Sequence, residues 1–310
     1  MDSPSAVRTM LKNGAKRRLF RYYLPCAGVS LASGLVTMLV SRILGYRLPS
    51  AEEMLKITDF TPYLSQFAEV YGLSFLFTLL LSPLTVGSYS FYMDVAREKR
   101  PPFSMIFSWL GEAKKLKTAY AANLLYVLIL LKNLVLYTLL PAALFLGSVF
   151  LFERAPLMLA LLVYVLAGLL LLAGGVFAYA HSNLYQPALF MLAEDPTLGV
   201  RQTFGFCGRV MKKRMWEFFR FRISFLLWEI IGSLTYGLSV LFVTPYVDLS
   251  ISGYTHWLMM QVVDEYLQNP PPADDPDALL LGRLLKARAA REQALSQNQN
   301  PDDQNTGSEQ

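Results

Sequence analysis

The chain has 310 residues, of which 54% are hydrophobic and 16% charged, whereas ordinary globular domains contain about 25% charged residues. This composition argues against a soluble domain and favours an integral membrane protein. Segment 269–310 has seven acidic and four basic residues and therefore a net charge of −3. Because the whole chain carries +5, the remaining residues carry +8. Basic charge on so apolar a chain favours contact with a membrane surface over nucleic acid.

Long uncharged runs predict four membrane-crossing helices, because a crossing needs about 20 mostly apolar residues. The third run is longer than one crossing, so we expect that helix either to tilt or to break near Pro141, whose ring removes a backbone donor. The four predicted crossings are 23–44, 69–93, 119–142 and 156–181.

The stretch 216–267 is apolar but is interrupted by several charges. Its length predicts two further crossings, 219–236 and 238–261, joined by the flexible segment 232–237. An alternative has five crossings, in which 219–244 crosses once and 247–267 lies on the membrane surface.

The basic residues predict the orientation. With a cytoplasmic N-terminus, the inner segments 1–22, 94–118, 182–222 and 269–310 hold 23 of the 28 Lys and Arg residues, and the outer segments hold four. Inner loops of membrane proteins carry this excess. We therefore expect an all-α polytopic integral membrane bundle of about six transmembrane helices, with both termini cytoplasmic.

Segments outside the crossings also have readable patterns. Leu11, Ala15 and Leu19 lie among six bases in the N-terminal segment 1–22, which predicts an amphipathic helix at an anionic leaflet. Short interfacial helices are expected at 49–67 and 103–110. The tail 269–310 is expected to be mostly disordered, except for a helix within 277–295.

Several short motifs occur in a fixed order along 8–268. They resemble the LKxxAK, LADNP, SxxLMKGxKWxLF, LSFxxW, LTxGIG and PY elements of the bacterial membrane family called domain of unknown function 975. Glu194-Asp195 stands where that family usually has Asp-Asn, and Lys213 stands where Gly is common. The corresponding segments here are LKNGAK at 11–16, LAEDP at 192–196, RVMKKRMWEFF at 209–219, SFLLW at 224–228, LTYGL at 234–238 and Pro245-Tyr246.

The resemblance implies a helical fold in a bacterial inner (plasma) membrane and an unestablished biochemical role. It supports two crossings within 219–261, because the LTxGIG element is a connection there. In the LAEDP segment, we expect Asp195 to cap the helix that follows it. The family looks related to the membrane region of glycerophosphodiester phosphodiesterases, which raises the hypothesis of a membrane-embedded hydrolase.

Residues that hydrolysis would use are sparse. His181 and His256 have no metal-ligand or acid–base partner at a familiar spacing, so we expect packing or interfacial roles. Cys26 and Cys207 predict two buried or interfacial thiols rather than a disulfide framework or a zinc site. We therefore expect no catalytic residues, no metal and no cofactor.

Ionisable residues within crossings are the better indication of a site, since they usually face the interior of a bundle. Lys132 and Glu229 are predicted at similar depths, so they could form a pair, with Asn133 and Asp248 as further polar partners. In the alternative, Lys132 extends to the headgroups and Glu229 lies nearer the outer face or is protonated.

A basic and aromatic cluster near the inner membrane face predicts contact with anionic lipid headgroups. In the fourth crossing, Gly168, Gly174 and Gly175 predict close helix packing. The basic and aromatic cluster, called the headgroup cluster below, comprises Arg209, Lys212, Lys213, Arg214, Trp216, Arg220 and Arg222.

We expect a non-enzymatic membrane scaffold or accessory protein that contacts lipids or other membrane proteins. The first alternative is a transporter of small molecules or ions with a polar path near Lys132 and Glu229, and the second is the hydrolase. A transporter predicts charged residues that converge on a water-accessible cavity, whereas a scaffold predicts a dry bundle with an outer contact surface.

Overall fold

The computed structural model describes residues 4–43, 72–73, 75–149, 156–234, 239–268, 277–278, 280–283 and 285–286. Every regular element within these ranges is helical, which confirms the all-α class. In chain order, the helices are α1 Pro4–Arg21, α2 Tyr23–Ile43, α3 Ser82–Ala96, a 3-10 helix Phe103–Phe107, α4 Ala113–Val149, α5 Leu157–Asn183, α6 Gln186–Glu194, α7 Val200–Lys212, α8 Met215–Ile223, α9 Leu226–Leu234 and α10 Ser239–Gln268.

The chain divides into two compact units, Met1–Tyr254 and Thr255–Gln310. The first contains the core and the site described below. In the second, the amide of Leu281 donates to the carbonyl of Asp277 at 2.9 Å, which begins a helical turn within the predicted helix 277–295. The rest of the tail, and the predicted interfacial helix 49–67, lie outside the described residues.

Within the part of the chain that the structure describes, two helical stretches are long and apolar enough to cross a membrane, Ala113–Ser148 and Leu157–Glu194. The first lies within α4, whose 37 residues correspond to about 55 Å. It continues through Pro141, so the break considered there does not occur. A Cβ atom on Gly174 would overlap the carbonyl oxygen of Tyr137. The absence of that atom lets α4 and α5 pack closely, as the sequence predicted for Gly174.

The apolar side of α1 packs inside the protein. Leu11 and Ala15 are buried, and Leu19 packs against the same core cluster as Ala15. That cluster also contains Tyr92 of α3 and Leu249 of α10. Residues 4–21 form a helix, and its buried apolar residues meet other helices. The physical reason is that these helices offer an apolar surface on which the same stripe can be buried. Contact of this segment with an anionic leaflet stays a prediction.

The predicted crossing 219–236 is interrupted after Ile223. The amide of Phe225 donates to the carbonyl of Arg222 at 3.0 Å, and the hydroxyl of Ser224 donates to the carbonyl of Phe221 at 2.5 Å. These local bonds replace part of the regular α-helical pattern. The segment therefore forms the two short helices α8 and α9.

The last predicted crossing, 238–261, overlaps α10. α10 is continuous past Pro245, so the break that the five-crossing alternative requires between 244 and 247 is absent. The six-crossing prediction places Tyr23 near the inner membrane face and Phe242 near the outer face, about 30 Å apart. Their rings stack instead, with centroids 5.5 Å apart. The crossings 23–44 and 238–261 therefore cannot both have the predicted positions.

Candidate functional site

A group of charged side chains lies where α8, α9 and α10 meet. Nη1 of Arg222 lies 3.5 Å from Oε1 of Glu229, and the two side chains are 15% and 38% exposed. Asp248 interacts electrostatically with both. We call Arg222, Glu229 and Asp248 the polar cluster.

The interruption between α8 and α9 explains the ion pair of the polar cluster. Arg222 belongs to the last turn of α8, and Glu229 belongs to the first turn of α9. A cation near a helix C-terminus and an anion near a helix N-terminus are each favoured by the helix dipole. The break therefore places each charge at a helix end whose dipole favours it. It also keeps the two side chains close enough to form an ion pair.

Tyrosines from three other helices interact with members of the polar cluster. Arg222 donates a side-chain hydrogen bond to Tyr179 of α5. Tyr126 of α4 interacts electrostatically with Arg222, and Tyr89 and Tyr92 of α3 interact with Asp248. Six helices of the first unit therefore contribute to one polar region.

The structure separates the four residues of the predicted intramembrane site. Glu229 and Asp248 come together, but Lys132 is exposed and forms no ion pair with Glu229. Asn133 is buried, and its Nδ2 donates to Oγ of Ser182 at 3.3 Å, which joins α4 to α5. The predicted Lys132–Glu229 pair is wrong, because Lys132 points away from the helix contacts and Arg222 is the nearer cation.

The sequence predicted Arg222 in the headgroup cluster, whereas the structure places it in the polar cluster. The other members of the headgroup cluster differ in their exposure. Trp216 is 47% exposed and packs edge-on against Phe177 and Phe219, with centroids 5.9 and 5.6 Å away. Arg214 is half-buried, and the remaining exposed members are Arg209, Lys212, Lys213 and Arg220.

The LAEDP segment holds a second buried charge pair. Nη2 of Arg97 lies 2.5 Å from Oε2 of Glu194, and the two side chains are 8% and 14% exposed. Burial lowers the pKa of Arg97 to about 10, although nearby Asp94 acts in the opposite direction. Arg97 therefore stays protonated at neutral pH, and the pair is ionic.

Asp195 caps a turn rather than the next helix. Its Oδ1 accepts from the amide and hydroxyl of Thr197 at 2.8 and 2.6 Å. The next helix begins at Val200, with Gly199 at its N-cap. The predicted helix cap is wrong because the side chain is satisfied two residues on, as in an Asx turn.

In the first unit, the histidine packs against a tyrosine and the two cysteines are buried. Nδ1 of His181 lies 3.0 Å from the carbonyl of Phe177, and its ring centroid lies 5.0 Å from that of Tyr137. Cys26 and Cys207 are free and buried, as predicted. In the described part of the chain, no three His, Cys, Asp or Glu residues are grouped to hold a metal ion.

The fold and the polar cluster define a helical protein with two stretches able to cross a membrane. Residues 1–257 match the family model described as protein of unknown function DUF975, and the chain belongs to this family. No curated protein and no solved structure matches the chain. The resemblance in the sequence motifs is therefore confirmed at the family level, whereas the link to glycerophosphodiester phosphodiesterases stays a prediction.

Proposed function

We propose that this chain is a multi-pass protein of a bacterial inner (plasma) membrane with cytoplasmic termini. The observation that carries this is the apolar outer surface of α4 and α5. Leu136 and Leu140 of α4 are 66% and 68% exposed, and Leu162 and Leu172 of α5 are 57% and 66% exposed. Water would make so large an apolar surface costly, whereas lipid tails would cover it.

Lys132 fits the same arrangement. It lies 15 residues after Lys117 on α4, which corresponds to about 22 Å along the helix. If Lys117 lies at the inner edge of a hydrocarbon core about 30 Å thick, Lys132 is within one long side chain of the outer headgroups.

We propose four full crossings, 23–44, 69–93, 119–142 and 156–181, followed by a hairpin that enters from the cytoplasmic side. The stacking of Tyr23 on Phe242 supports the hairpin, because the tip of a hairpin need not reach the outer face, so Phe242 can lie closer to the depth of Tyr23. Irregular backbone such as the turn after α8 is tolerated in a membrane where other protein segments pack around it.

A single-cysteine experiment tests this topology in a variant that lacks Cys26 and Cys207. We expect a membrane-impermeant maleimide to label Glu153→Cys in intact cells and to label Gly111→Cys only after lysis. Ser239→Cys separates the two topologies, since six full crossings put it outside. Labelling of Ser239→Cys in intact cells would refute the hairpin, and release of the protein by alkaline carbonate would refute membrane integration.

Within the membrane, we propose a non-enzymatic scaffold or accessory role. Several buried polar side chains join helices. Oη of Tyr92 lies 2.6 Å from Oγ of Ser30, which links α3 to α2, and Nδ2 of Asn123 donates to Oγ of Ser82 at 2.7 Å, which links α4 to α3. These bonds support a packed interior with outward-facing contact surfaces.

Photo-cross-linking tests the scaffold role. A photoreactive residue at the exposed position Leu162 should give a reproducible adduct with one membrane protein or lipid class. The same residue at Ala167, which is 3% exposed, is the buried control. Equal adduct patterns from both positions would contradict a specific outer contact surface.

Transport is a second candidate, favoured by the convergence of Arg222, Glu229 and Asp248 from three helices. Charges gathered inside a membrane protein commonly mark a path for ions or protons. A transporter predicts that solute or proton flux into proteoliposomes is lost in Asp248→Asn but kept in Lys132→Gln. Equal flux in wild type and Asp248→Asn would exclude a path through the polar cluster.

A further inference from the structure

An apolar groove of about 670 Å³ lies where α1, the start of α2, α9 and α10 meet. Its walls are mainly aromatic, and Phe20, Trp228 and Phe242 are 74%, 53% and 58% exposed. Tyr23, stacked on Phe242, forms part of the same wall. The first unit thus contains a preformed aromatic surface that no described part of that unit covers.

Positive charge accompanies this groove. Lys16 is the charged residue of its lining, and Lys12 lies one turn earlier on the same side of α1. Nζ of Lys12 lies 4.5 Å from the ring centroid of Phe225, and that ring packs edge-on against Tyr246 in the groove wall at 5.5 Å. Both lysines are therefore close to the aromatic surface.

The lysines lack compensating charge within the described residues, where neither forms an ion pair with an acid. Burial lowers the pKa of Lys12, and the charge of Arg8 lowers it further. Arg8, Lys12 and Lys16 follow one another at intervals of four, so their like charges repel along one side of α1. An anion beside Lys16 would offset this repulsion.

We propose that the groove binds an anionic phospholipid, with the headgroup phosphate at Lys16 and an acyl chain along Phe20, Tyr23, Trp228 and Phe242. This deepens the proposed function and rests on it, because the lipid reaches the groove only in a membrane. An ammonium group attracts the phosphate, exposed aromatic rings cover the chain, and aromatic residues favour the boundary between headgroups and hydrocarbon.

The groove differs from the headgroup cluster predicted around Lys212 in both position and composition. Lys212 and its neighbours present charge on an exposed surface, whereas the groove combines one ammonium group with a concave apolar wall. The predicted cluster would attract anionic lipid in general. The groove would hold one molecule long enough to survive extraction.

Native mass spectrometry of the full chain, released from nanodiscs with equal amounts of phosphatidylglycerol and phosphatidylcholine, tests the proposal. Wild type should retain one phosphatidylglycerol in preference to phosphatidylcholine. Lys16→Ala should lower that preference about fivefold, the effect of one lysine at an anionic surface. Trp228→Ala should lower the retention of both lipids.

Matched controls come from the neighbouring positions. Arg17→Ala removes an equal charge from the next exposed residue, outside the groove lining, and Leu227→Ala truncates a side chain that is 64% exposed beside Trp228. Both should behave like wild type. Equal losses in Arg17→Ala and Lys16→Ala would overturn the site, because charge would then act without regard to position.

Alkaline extraction distinguishes a failure of the lipid-site proposal from a failure of the proposed membrane location. If wild type resists alkaline extraction but retains no phosphatidylglycerol preferentially, the lipid site is wrong and the membrane protein stands. If alkaline extraction releases wild type, both are wrong. Thermal unfolding in detergent should be unchanged in Lys16→Ala, since that side chain is exposed, so a lost lipid then reports on binding.

Discussion

Arg97, one residue after the end of α3, forms a close ion pair with Glu194, the last residue of α6, although 97 positions separate them in the sequence. Both side chains are almost completely buried, so neither charge can be satisfied by water if its partner is removed. The pair joins the end of α3 to the end of α6.

Removing one member of this pair should be strongly destabilising. Arg97→Ala removes the arginine that faces a buried carboxylate, and we expect a loss of about 3 kcal/mol in the free energy of unfolding. Lys99→Ala is the matched control, because Lys99 pairs with Asp94 at 3.5 Å but is 58% exposed, and should change stability by less than about 1 kcal/mol. Equal stabilities in denaturant titrations in mild detergent would contradict a structural role for the buried pair.

Two adjacent glycines should respond differently to the same substitution. Gly174→Ala places a methyl group against the carbonyl of Tyr137, and we expect a loss of about 1–3 kcal/mol from overpacking. Gly175 has no neighbouring atom within 4 Å of the added group. Gly175→Ala should therefore be neutral or stabilising, because Ala favours the helix. Thermal unfolding of the two variants measures the difference.

Double-mutant cycles should locate the electrostatic partner of Glu229. We expect Arg222→Leu and Glu229→Leu to be coupled by about 1 kcal/mol, because their charged groups are 3.5 Å apart. Lys132→Leu and Glu229→Leu should be additive within about 0.5 kcal/mol. The measurement is unfolding of all single and double variants in the same detergent. Coupling of Lys132 rather than Arg222 would reverse the assignment.

The headgroup cluster should separate into lipid-binding and structural members. We expect Lys212→Ala with Lys213→Ala to weaken flotation with anionic phosphatidylglycerol vesicles at unchanged thermal stability, by about 1 kcal/mol for each lysine. Arg222→Ala should destabilise the fold instead, because its side chain is 15% exposed and paired. Stability loss in the double lysine variant would show that these residues also support the fold.

Helix positions could be predicted from the sequence where uncharged runs are long. The predicted crossing 156–181 corresponds to α5, Leu157–Asn183, and 119–142 lies within α4. Interruptions were harder to foresee. Pro141 suggested a break, but α4 continues through it. The break after Ile223 depends on hydrogen bonds of the Ser224 hydroxyl and the Phe225 amide, which the composition does not indicate.

The sequence could not predict whether the side chain of Lys132 faces the other helices or the outer surface of α4. It is surrounded by apolar residues on every side of α4, including Leu131 and Val135, so the periodicity indicates no inward side. Arg222 was assigned to the headgroups because it follows other bases. Its sequence distance of seven from Glu229, two helical turns, was the available signal for the pair, since such residues share one side of a helix.

The burial of Ala15 and Leu249 in one core cluster has a consequence for biosynthesis. α1 leaves the ribosome before α10. The cluster between them cannot close until residue 249 has been synthesised, so the apolar side of α1 stays without this partner during that interval. Whatever shields α1 during that interval governs whether the nascent chain assembles correctly.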